Sequence, residues 1–377
     1  MNRKKKIPQV LFGKIIKRLH INKAVIQLLK PLNHQYPSLS IDEANAILEK
    51  KSPVPKGTVL RTLQSDKKNN YKYDLQIIIP AYNVEKYIVQ CIESLRRQTS
   101  EYKWQAIIID DGSTDSTGQL IDQYKRDKRL HIIHQNNKGF SGARNTGIEI
   151  LDSKYVMFLD SDDFLERGAI KILLTEAERF NADIVEGNFN YYKGGKKKPG
   201  SIHSSGIVNK PIDELRGFPW GKVIKSSFFD RYQFPEGFWF EDTIMSFLIY
   251  PQSMRVRTVE NIVYNYRVNN QGITNTLFGK DKCIDTVWVL KEIVSSGELE
   301  KYDRSVFQEI VLKHIMLSCN RCFGLDKKVR ESVFVCLRQL YLDYFYCDAV
   351  SCKKDQEIRT ALMNNDFGVY ELVSRFI

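Results

Sequence analysis

Carboxylate side chains gather at three places in this sequence, and each group directly follows apolar or aromatic residues. These segments are residues 107–111, 156–163 and 240–242. A buried strand that ends in carboxylates costs free energy unless a cation or a polar ligand meets the charges. In open α/β sheets, ligands bind at the carboxyl ends of the strands. The three groups therefore predict a site where acids meet a cation and a polar ligand.

The segment 160–163 supplies three carboxylates within four residues, with Ser161 between them. Mg²⁺ and Mn²⁺ prefer such oxygen ligands and often share them with substrate phosphates. Asp160, Asp162 and Asp163 are therefore the candidate metal ligands. The alternative, a solvated acidic turn, is disfavoured by the apolar strand that precedes the segment. A calcium-binding loop is disfavoured as well, because apolar residues follow where it needs a ligand and a glycine.

Two strand ends offer groups for a nucleotide base. Pro80 ends the first strand because proline has no N–H, so that Tyr82, after Ala81, is placed to stack on a base or a sugar. Asp111, next to Asp110, is placed to accept a hydrogen bond from a ring N–H. The alternative for this second turn is a helix cap formed by the residues that follow it.

Two arginines are candidates for phosphate contact. Gly139 lies at a helix start, where backbone N–H groups and the nearby Arg144 are suited to a diphosphate. The segment does not match the dinucleotide-binding glycine pattern. Arg267 lies in a polar segment, where the alternative is a surface ion pair.

Two aromatic segments are candidates for sugar contact. Trp220 and Lys222 form one, and Trp239 and Phe240 precede Glu241 in the other. Aromatic rings pack on apolar sugar faces, although most aromatic pairs belong to a core. The adjacent carboxylates favour the sugar interpretation, because buried acids need a reason to be there.

From residue 74 onward, apolar runs alternate with amphipathic segments. The predicted strands are 75–79, 104–109, 131–134, 155–159 and 182–187, and the predicted helices are 85–98, 115–125, 141–151 and 167–180. This alternation predicts an α/β fold with a mostly parallel sheet flanked by helices. We expect a basic helical N-terminal extension and linker at 1–73, a catalytic domain at 74–280 and a helical C-terminal subdomain at 281–377.

The net charge of +12 resides entirely in residues 1–73, because the remaining residues contain equal numbers of acids and bases. This distribution disfavours an evenly basic nucleic-acid-binding domain. Residues 1–35 include an imperfect basic amphipathic helix, for which an anionic membrane surface is one candidate partner. The alternative is a helix that packs on its own protein. The basic segment 191–198 is expected to be a mobile exposed loop, with acceptor contact as the alternative.

The cysteine pattern and the hydropathy indicate the compartment. Seven scattered cysteines favour a reducing, cytoplasmic setting. No apolar run has the length of a transmembrane helix. Cys319 and Cys322 form a single C-x-x-C, which is more typical of helix-core thiols than of a zinc site. We therefore expect a cytoplasmic protein, with peripheral attachment to the inner membrane face as a further hypothesis.

Taken in order, these motifs resemble family 2 glycosyltransferases of the GT-A fold. The resembling pieces are 79–83, 110–115, 137–145, 160–163, 220–222, 241–242 and 266–274. The resemblance implies a Rossmann-like, mostly parallel sheet and an inverting transfer from a nucleotide diphosphosugar, most often UDP-linked. It also implies a divalent metal, Mn²⁺ or Mg²⁺. The acceptor would be a hydroxyl of a glycan, a lipid-linked saccharide, a polymer or a glycoprotein.

On the donor side, the resemblance implies that Asp111 binds uracil. Asp160 and Asp162 match the two acids of the family's DxD motif, and Asp162 or Asp163 would bind the metal. Pro80, Ala81, Tyr82, Asp110, Gly139, Ser161, Trp220 and Lys222 complete the implied nucleotide-sugar site.

On the acceptor side, Asp242 matches the catalytic base, with Glu241 beside it. Arg144 and Arg267 would steady the diphosphate, and Trp239 and Phe240 would contact the sugar or the acceptor. Two positions depart from the family pattern: Gly221 stands where Asn is common, and Gly272 stands where Ser is common.

Two other functions remain open. A sugar-1-phosphate nucleotidyltransferase is disfavoured because such enzymes resemble one another in a glycine-rich loop after the first strand, where this chain has Pro80 and Ala81. A non-catalytic glycan-binding or scaffold protein is disfavoured because every expected acid is present. The sequence leaves the oligomeric state open.

Overall fold

The run Ile77, Ile78 and Ile79 forms the fully buried centre of the first strand. β-Branched residues favour strands, and an uninterrupted apolar run is typical of a strand buried on both faces. In the computed structural model, residues 29–62, 70–200, 202–269, 272, 276–346, 348–349 and 353–376 are described. Contacts divide the chain into two compact units: Pro55–Gln271, and Met1–Val54 together with Gly272–Ile377.

The unit Pro55–Gln271 contains a ten-stranded sheet, counted over the described residues. Its strands are β1 (Tyr73–Ala81), β2 (Trp104–Asp110), β3 (Leu130–His134), β4 (Ser153–Phe158), β5 (Phe164–Leu165), β6 (Ile184–Lys193), β7 (Lys196–Pro199), β8 (Gly206–Val208), β9 (Lys222–Lys225) and β10 (Val256–Arg267). The order is β3-β2-β1-β4-β9-β6-β10-β5, with β7 beside β6 and β8 beside β10.

The sheet has a parallel half and a mixed half. Strands β1 to β4 pair in parallel, as the alternation of strands and helices predicts. β9 is antiparallel to both β4 and β6, while β10 is parallel to β6. The sequence analysis predicts neither β9 nor β10. The α/β class is confirmed, and the sheet is mixed outside its first four strands.

Six helices of this unit are described, of which the first four lie close to their predicted positions and the last two, both short, were not predicted. They are α2 (Ile88–Arg96), α3 (Thr117–Asp122), α4 (Gly139–Glu149), α5 (Ala169–Phe180), α6 (Pro211–Glu214) and α7 (Phe228–Arg231). In α2, Cys91, Ile92 and Leu95 are fully buried. Their helical spacing places them on one face, which packs on the sheet.

The helical unit contains α1 (Ile41–Lys51), α8 (Asp285–Ser295), α9 (Arg304–Cys322), α10 (Lys327–Phe345), α11 (Lys353–Met363) and α12 (Phe367–Phe376). A capping box begins α1, because the Ser40 hydroxyl accepts from the Glu43 N–H and the Glu43 carboxylate accepts from the Ser40 N–H. α1 packs against α10.

The two units do not follow the three segments predicted from the sequence. The described residues before 55 belong with the C-terminal helices, which they join through contacts such as Lys30 with Glu357 and the Phe367 N–H with the Gln35 carbonyl. The predicted basic helix lies almost wholly in residues 1–28, outside the described residues. Cys319 and Cys322 are buried, as expected for helix-core thiols.

None of the helices in the described part of the chain combines the length and the apolar character needed to cross a membrane.

Candidate active site

The parallel half of the sheet brings three predicted segments to one edge. β1 ends at Ala81, β2 ends at Asp110 and β4 ends at Phe158, just before the acidic segment. Ala81 lies opposite Asp110, and the Asp111 N–H donates to the Ala81 carbonyl at 2.8 Å. The carboxyl ends of these strands therefore form the base of a shared site.

Pro80 does not end the first strand, contrary to the prediction. β1 continues to Ala81, and Pro80 lies opposite Ile109 of β2. Alternate residues of a central parallel strand bond to opposite neighbours, so the missing N–H of Pro80 faces β4. Pairing with β4 already stops at Ile78. Proline is therefore tolerated here at no cost in hydrogen bonds, and Tyr82 follows with an exposed ring.

Asp111 is nearly fully buried, and its two carboxylate oxygens differ in their contacts. Oδ1 accepts from the Gln135 side chain at 2.7 Å and from the Lys138 N–H at 2.9 Å. No donor from the described residues meets Oδ2. The arrangement holds the carboxylate rigidly and leaves one oxygen for a ligand.

The Asp110 carboxylate contacts residues of the protein at the same turn. Its Oδ1 accepts from the Ser113 N–H, and its Oδ2 lies 2.8 Å from His134 Nδ1. The Asp110 carboxylate raises the pKa of His134, and Asp122 adds to the rise. Asp110 therefore holds its own loop, rather than facing the shared edge.

The acidic segment divides its carboxylates between two environments. Asp163 is 1 % exposed, and its oxygens accept from the Tyr264 hydroxyl at 2.8 Å and from the Arg267 N–H at 2.6 Å. Asp160 and Asp162 are only partly buried. Burial, reinforced by the charge of Asp160, raises the pKa of Asp162.

The predicted set of three metal ligands is therefore not formed. Among the described residues, no group of three His, Cys, Asp or Glu side chains is arranged to hold a metal ion. Both oxygens of Asp163 accept hydrogen bonds from the protein, so Asp163 is not a candidate metal ligand. Asp160 and Asp162 remain, and two carboxylates completed by substrate phosphates are a normal Mg²⁺ or Mn²⁺ site. Their mutual repulsion is what a bound cation would relieve, so this pair fits such an ion.

Glu241 and Asp242 lie in a turn with unusual backbone conformations. Phe240, just before them, has φ +65°, which is uncommon for an aromatic residue. The turn leads into the π-helical segment Met245–Ile249. Strained residues and π-helical turns occur preferentially at functional sites. Trp239 and Phe240 are partly exposed, as a sugar contact requires.

Arg144 of α4 joins the two acidic segments. Its Nη1 donates to Glu241 Oε1 at 2.5 Å, and its Nη2 donates to Asp160 Oδ1 at 3.0 Å. The residue is only 6 % exposed. The structure thus places Arg144 as a buried link between carboxylates, whereas the sequence predicts a diphosphate contact.

The two charged neighbours of Glu241 shift its pKa in opposite directions. Burial, opposed by Arg144 and reinforced by Asp242, raises the pKa of Glu241 to about 7. Asp242 is partly exposed and lies beside this pair. Glu241 is therefore committed to Arg144, and the partly exposed Asp242 is the other acid of this turn.

Polar atoms without partners lie in the first turns of α4 and in the acidic turn that follows Phe240. The hydroxyl of the buried Ser141, Arg144 Nε and the Thr243 hydroxyl have no hydrogen-bond partner among the described residues. Gly139 begins the helix with φ +74°. Buried polar atoms are normally satisfied, so three orphans beside two acidic segments favour a polar ligand at this place.

Arg267 lies beside the acidic segment. Its Nε donates to the Asp162 carbonyl at 2.5 Å, and its Nη2 donates to Gln90 at 2.8 Å. The guanidinium lies 4.7 Å from the Tyr87 ring centre and 4.9 Å from that of Tyr192. These contacts fix the guanidinium next to Asp162, within reach of a group bound there.

Trp220 is 5 % exposed and lies inside an aromatic stack, not on an open surface. Its ring stacks on Tyr264 at 4.6 Å, on Phe218 at 5.0 Å and on Tyr266 at 5.4 Å. The next residue, Gly221, has φ +74°. Glycine and asparagine are the residues that most readily adopt this conformation, which explains the departure from the family's Asn.

Lys222 is fully buried, whereas the sequence predicts a contact with the nucleotide sugar. Its ammonium pairs with Glu186 and donates to the Arg216 carbonyl at 2.7 Å and the Tyr250 hydroxyl at 2.6 Å. Burial lowers the pKa of Lys222, although Glu186 opposes the shift. This lysine neutralises a buried acid.

Sequence reasoning missed Tyr264 and Gln135. The Tyr264 hydroxyl donates to Asp163 and accepts from the Asp160 N–H at 3.2 Å. Gln135 directly follows β3, and the rule that strand ends carry site residues would have found it. Tyr264 gives no such local signal, because it lies inside a strand that the sequence does not predict.

A Rossmann-like parallel half-sheet with two acidic segments at its edge is the arrangement of the GT-A fold. Residues 76–234 match the sequence profile of glycosyl transferase family 2. The chain thus contains a family 2 glycosyltransferase domain of the GT-A fold, and the resemblance seen in the sequence is confirmed.

Three relatives illustrate the similarity. Glycosyltransferase GlyG of Streptococcus pneumoniae is 28% identical over 253 residues, covering 62% of this chain and 84% of GlyG. Glycosyltransferase GlyA of the same organism is 30% identical over 340 residues, covering 78% of this chain but only 48% of GlyA. S. aureus TarS 1–349, solved in complex with UDP-GlcNAc, has a TM-score of 0.65 at 20% identity, covering 80% of this chain and 90% of that one. TarS shares the fold.

Proposed function

We propose that this protein transfers a sugar from a nucleotide diphosphosugar to an acceptor hydroxyl with inversion at the anomeric carbon. One observation carries the proposal: a single buried guanidinium, Arg144, joins Asp160 of the DxD segment to Glu241. Asp242, next to Glu241, is thereby held at a fixed position relative to the donor site. Such pre-organisation is what an in-line displacement needs.

The donor is a UDP-sugar. Oδ2 of Asp111 accepts the ring N–H of uracil, and the exposed Tyr82 ring covers the base. The solved complexes of TarS with UDP-GlcNAc and with UDP support this class of donor. Gly139 and the start of α4, with its unpartnered polar atoms, lie on the path of the diphosphate.

Asp160 and Asp162 would hold a divalent cation, Mn²⁺ or Mg²⁺. When bound, such an ion offsets the negative charge that grows on the leaving diphosphate. Arg267 acts on the same charge from beside Asp162. Arg144 keeps the carboxylate of Asp160 in place, rather than touching the phosphates itself.

Asp242 is the general base. It accepts the proton of the acceptor hydroxyl while the oxygen attacks the anomeric carbon from the face opposite the diphosphate. Glu241 is a positioning residue, because its carboxylate is committed to Arg144. Trp239 and Phe240 contact the sugar or the acceptor. One base is enough, and no covalent intermediate is needed.

The place of action is the cytoplasmic face of a membrane, where residues 1–35 attach the enzyme to anionic lipid near its acceptor. The support is the charge excess of residues 1–73. Flotation with anionic vesicles tests this hypothesis. The full chain should float and a chain without residues 1–35 should not, whereas equal flotation would contradict it.

Donor hydrolysis tests the proposed activity. The protein is incubated with a panel of UDP- and GDP-sugars and Mn²⁺, and nucleotide release is measured. We expect UDP release from one donor, loss of release with EDTA, and a decrease of about 10²–10⁴-fold in Asp242→Asn. Calorimetry should give similar UDP affinities for Asp242→Asn and the parent protein. If neither release nor UDP binding is found, the proposal fails.

A further inference from the structure

The basic segment after β6 forms a tight hairpin, not the mobile loop that its composition predicts. β6 and β7 pair in antiparallel register, with Tyr191 opposite Lys198 and Lys193 opposite Lys196. Gly194 and Gly195 form the turn with φ +55° and +79°. A two-residue turn with positive φ at both positions matches the twist of the strands, so the hairpin is well defined.

The register places three lysines and a tyrosine on one face of this hairpin. Residues directly opposite each other share a face, as do residues two apart on one strand. Tyr191, Lys193, Lys196 and Lys198 therefore lie together, and all four are exposed. We call this set the outer hairpin face.

The opposite face of the hairpin is occupied by the protein itself. Tyr192 meets Phe164 edge-on at 5.0 Å and lies under the Arg267 guanidinium. Lys197, opposite Tyr192, pairs with Glu166. These contacts fix the orientation of the hairpin, so that the outer hairpin face is directed to solvent.

The charge on the outer hairpin face is not compensated. Lys193, Lys196 and Lys198 have no ion-pair partner among the described residues, whereas Lys197 has one. Lys193 and Lys196 are directly opposite each other, and like charges at such a position destabilise a strand pair. An anion bound across them would remove this repulsion.

The outer hairpin face continues towards the DxD segment through aromatic rings. Tyr191 meets Tyr266 edge-on at 6.0 Å, and Tyr266 stacks on Trp220 at 5.4 Å. Trp220 in turn stacks on Tyr264, whose hydroxyl contacts the acidic segment. Phe218 and Tyr191 are the exposed rings of this series, each 45% exposed.

We propose that the outer hairpin face binds an anionic glycan chain, which the enzyme uses as acceptor. Its role as acceptor rests on the proposed transferase function. The ammonium groups pair with carboxylates or phosphates of the chain, and the exposed rings pack on sugar faces between them. Insertion into a membrane would need apolar side chains at the hairpin tip, where this chain has two glycines.

The test is binding of the full chain to three polysaccharides at several salt concentrations: polygalacturonate, a phosphomannan and neutral dextran. Binding is compared in Lys193→Gln/Lys196→Gln/Lys198→Gln and in a matched variant, Lys125→Gln/Arg126→Gln/Lys128→Gln. The matched variant also removes three exposed cations from the same unit. Both variants keep residues 1–35, so the basic N-terminus contributes equally.

We expect the parent protein to bind at least one anionic chain and not dextran. The hairpin variant should bind about tenfold more weakly with a reduced salt dependence, and the matched variant should change by less than about twofold. Tyr191→Ala should weaken binding without altering the salt dependence. Equal losses in the two triple variants, no loss in Tyr191→Ala, or no binding by the parent would overturn the proposal.

Two further measurements separate this proposal from its alternatives. If the hairpin variant loses flotation with phosphatidylglycerol vesicles but keeps glycan binding, the surface contacts lipid and the proposal is wrong. UDP release is scored on the same samples. Hairpin-dependent binding with neither UDP release nor UDP binding would support the surface and reject the transferase function. UDP release without hairpin-dependent binding would reject the surface alone.

Discussion

Two clusters of charged side chains in the unit Pro55–Gln271 differ in their ratio of acidic to basic groups. The acid-rich cluster consists of Asp160 and Glu241, which Arg144 links, and of Asp162 and Asp163 from the same segment as Asp160. The cation-rich cluster consists of Lys222 and Arg216 around Glu186, and the His203 ring lies 3.2 Å from the same carboxylate. The first has more carboxylates than the partners inside the fold neutralise, and the second has one carboxylate surrounded by cations.

The pKa shifts express this difference. Burial and neighbouring carboxylates raise the pKa values of Asp162 and Asp163. Burial also favours the neutral form of Glu186, but Lys222, His203 and Arg216 outweigh it, and the pKa of Glu186 is lowered. A compensated cluster stabilises the fold, whereas an uncompensated one stores electrostatic free energy that a cationic ligand can release. The comparison therefore separates structural charge from functional charge.

The largest expected effect concerns the cation-rich cluster. Lys222→Met should lower the free energy of unfolding by about 3 kcal/mol, because it leaves Glu186 buried with fewer cations. Urea unfolding measures the change. Adding Glu186→Gln should recover part of the stability, which serves as the control. If Lys222→Met leaves stability unchanged but abolishes UDP binding, then Lys222 acts in the donor site and not in stabilising the fold.

The next effect separates two neighbouring acids of the other cluster. Asp162→Asn should weaken the Mn²⁺-dependent part of UDP binding more than tenfold, because it removes a proposed metal ligand. Asp163→Asn should retain the Mn²⁺ dependence and lower stability by about 1–3 kcal/mol, since an amide nitrogen then faces the Tyr264 hydroxyl or the Arg267 N–H. Calorimetry and urea unfolding report the two outcomes, and the reverse pattern would exchange the roles.

The two buried glutamates should give opposite pH dependences of stability. Glu241 titrates near 4.5 when unfolded and near 7 when folded. Between these values the native state binds more protons, so stability falls as pH rises, by at most about 1.4 kcal/mol per pH unit. Glu186, whose pKa is lowered, contributes stability above pH 4.5 that is lost as pH falls further.

Matched substitutions isolate these contributions. Glu241→Gln should flatten the decline of unfolding free energy between pH 4.5 and 7. Glu186→Gln should lower stability at neutral pH and flatten the decline on the acidic side. Equal slopes in both variants would remove the distinction between the clusters.

The smallest effect lies at the edge of the donor site. The raised pKa of His134 means that its pairing with Asp110 stabilises the fold below pH 6.5 and is lost as pH rises through the folded pKa. The side chain is 47% exposed, so the contribution should stay below about 1 kcal/mol. His134→Gln should flatten this part of the stability curve slightly. A change above 2 kcal/mol would indicate a larger role for the turn.

Sequence prediction succeeded where function follows local order. Strands β1 to β4 and the helices between them have strong apolar periodicity, and the acidic segments follow directly from their ends. The prediction that Pro80 ends the first strand was wrong, because pairing with β2 continues to Ala81. The internal partners of Asp163 and Lys222 were not predicted, because Tyr264 and Glu186 lie far along the chain in strands to which no function was assigned.

By itself, the sequence determined the α/β class, the edge of the sheet that carries the site and the family to which the domain belongs. These follow from local periodicity and from residue types at strand ends. Only the tertiary structure decided which charged side chains pair with other residues of the protein and which remain available to a ligand. The ion pair of Lys222, the bridge of Arg144 and the free outer face of the hairpin depend on contacts between distant strands. Burial and pairing determine whether a charged side chain can meet a ligand.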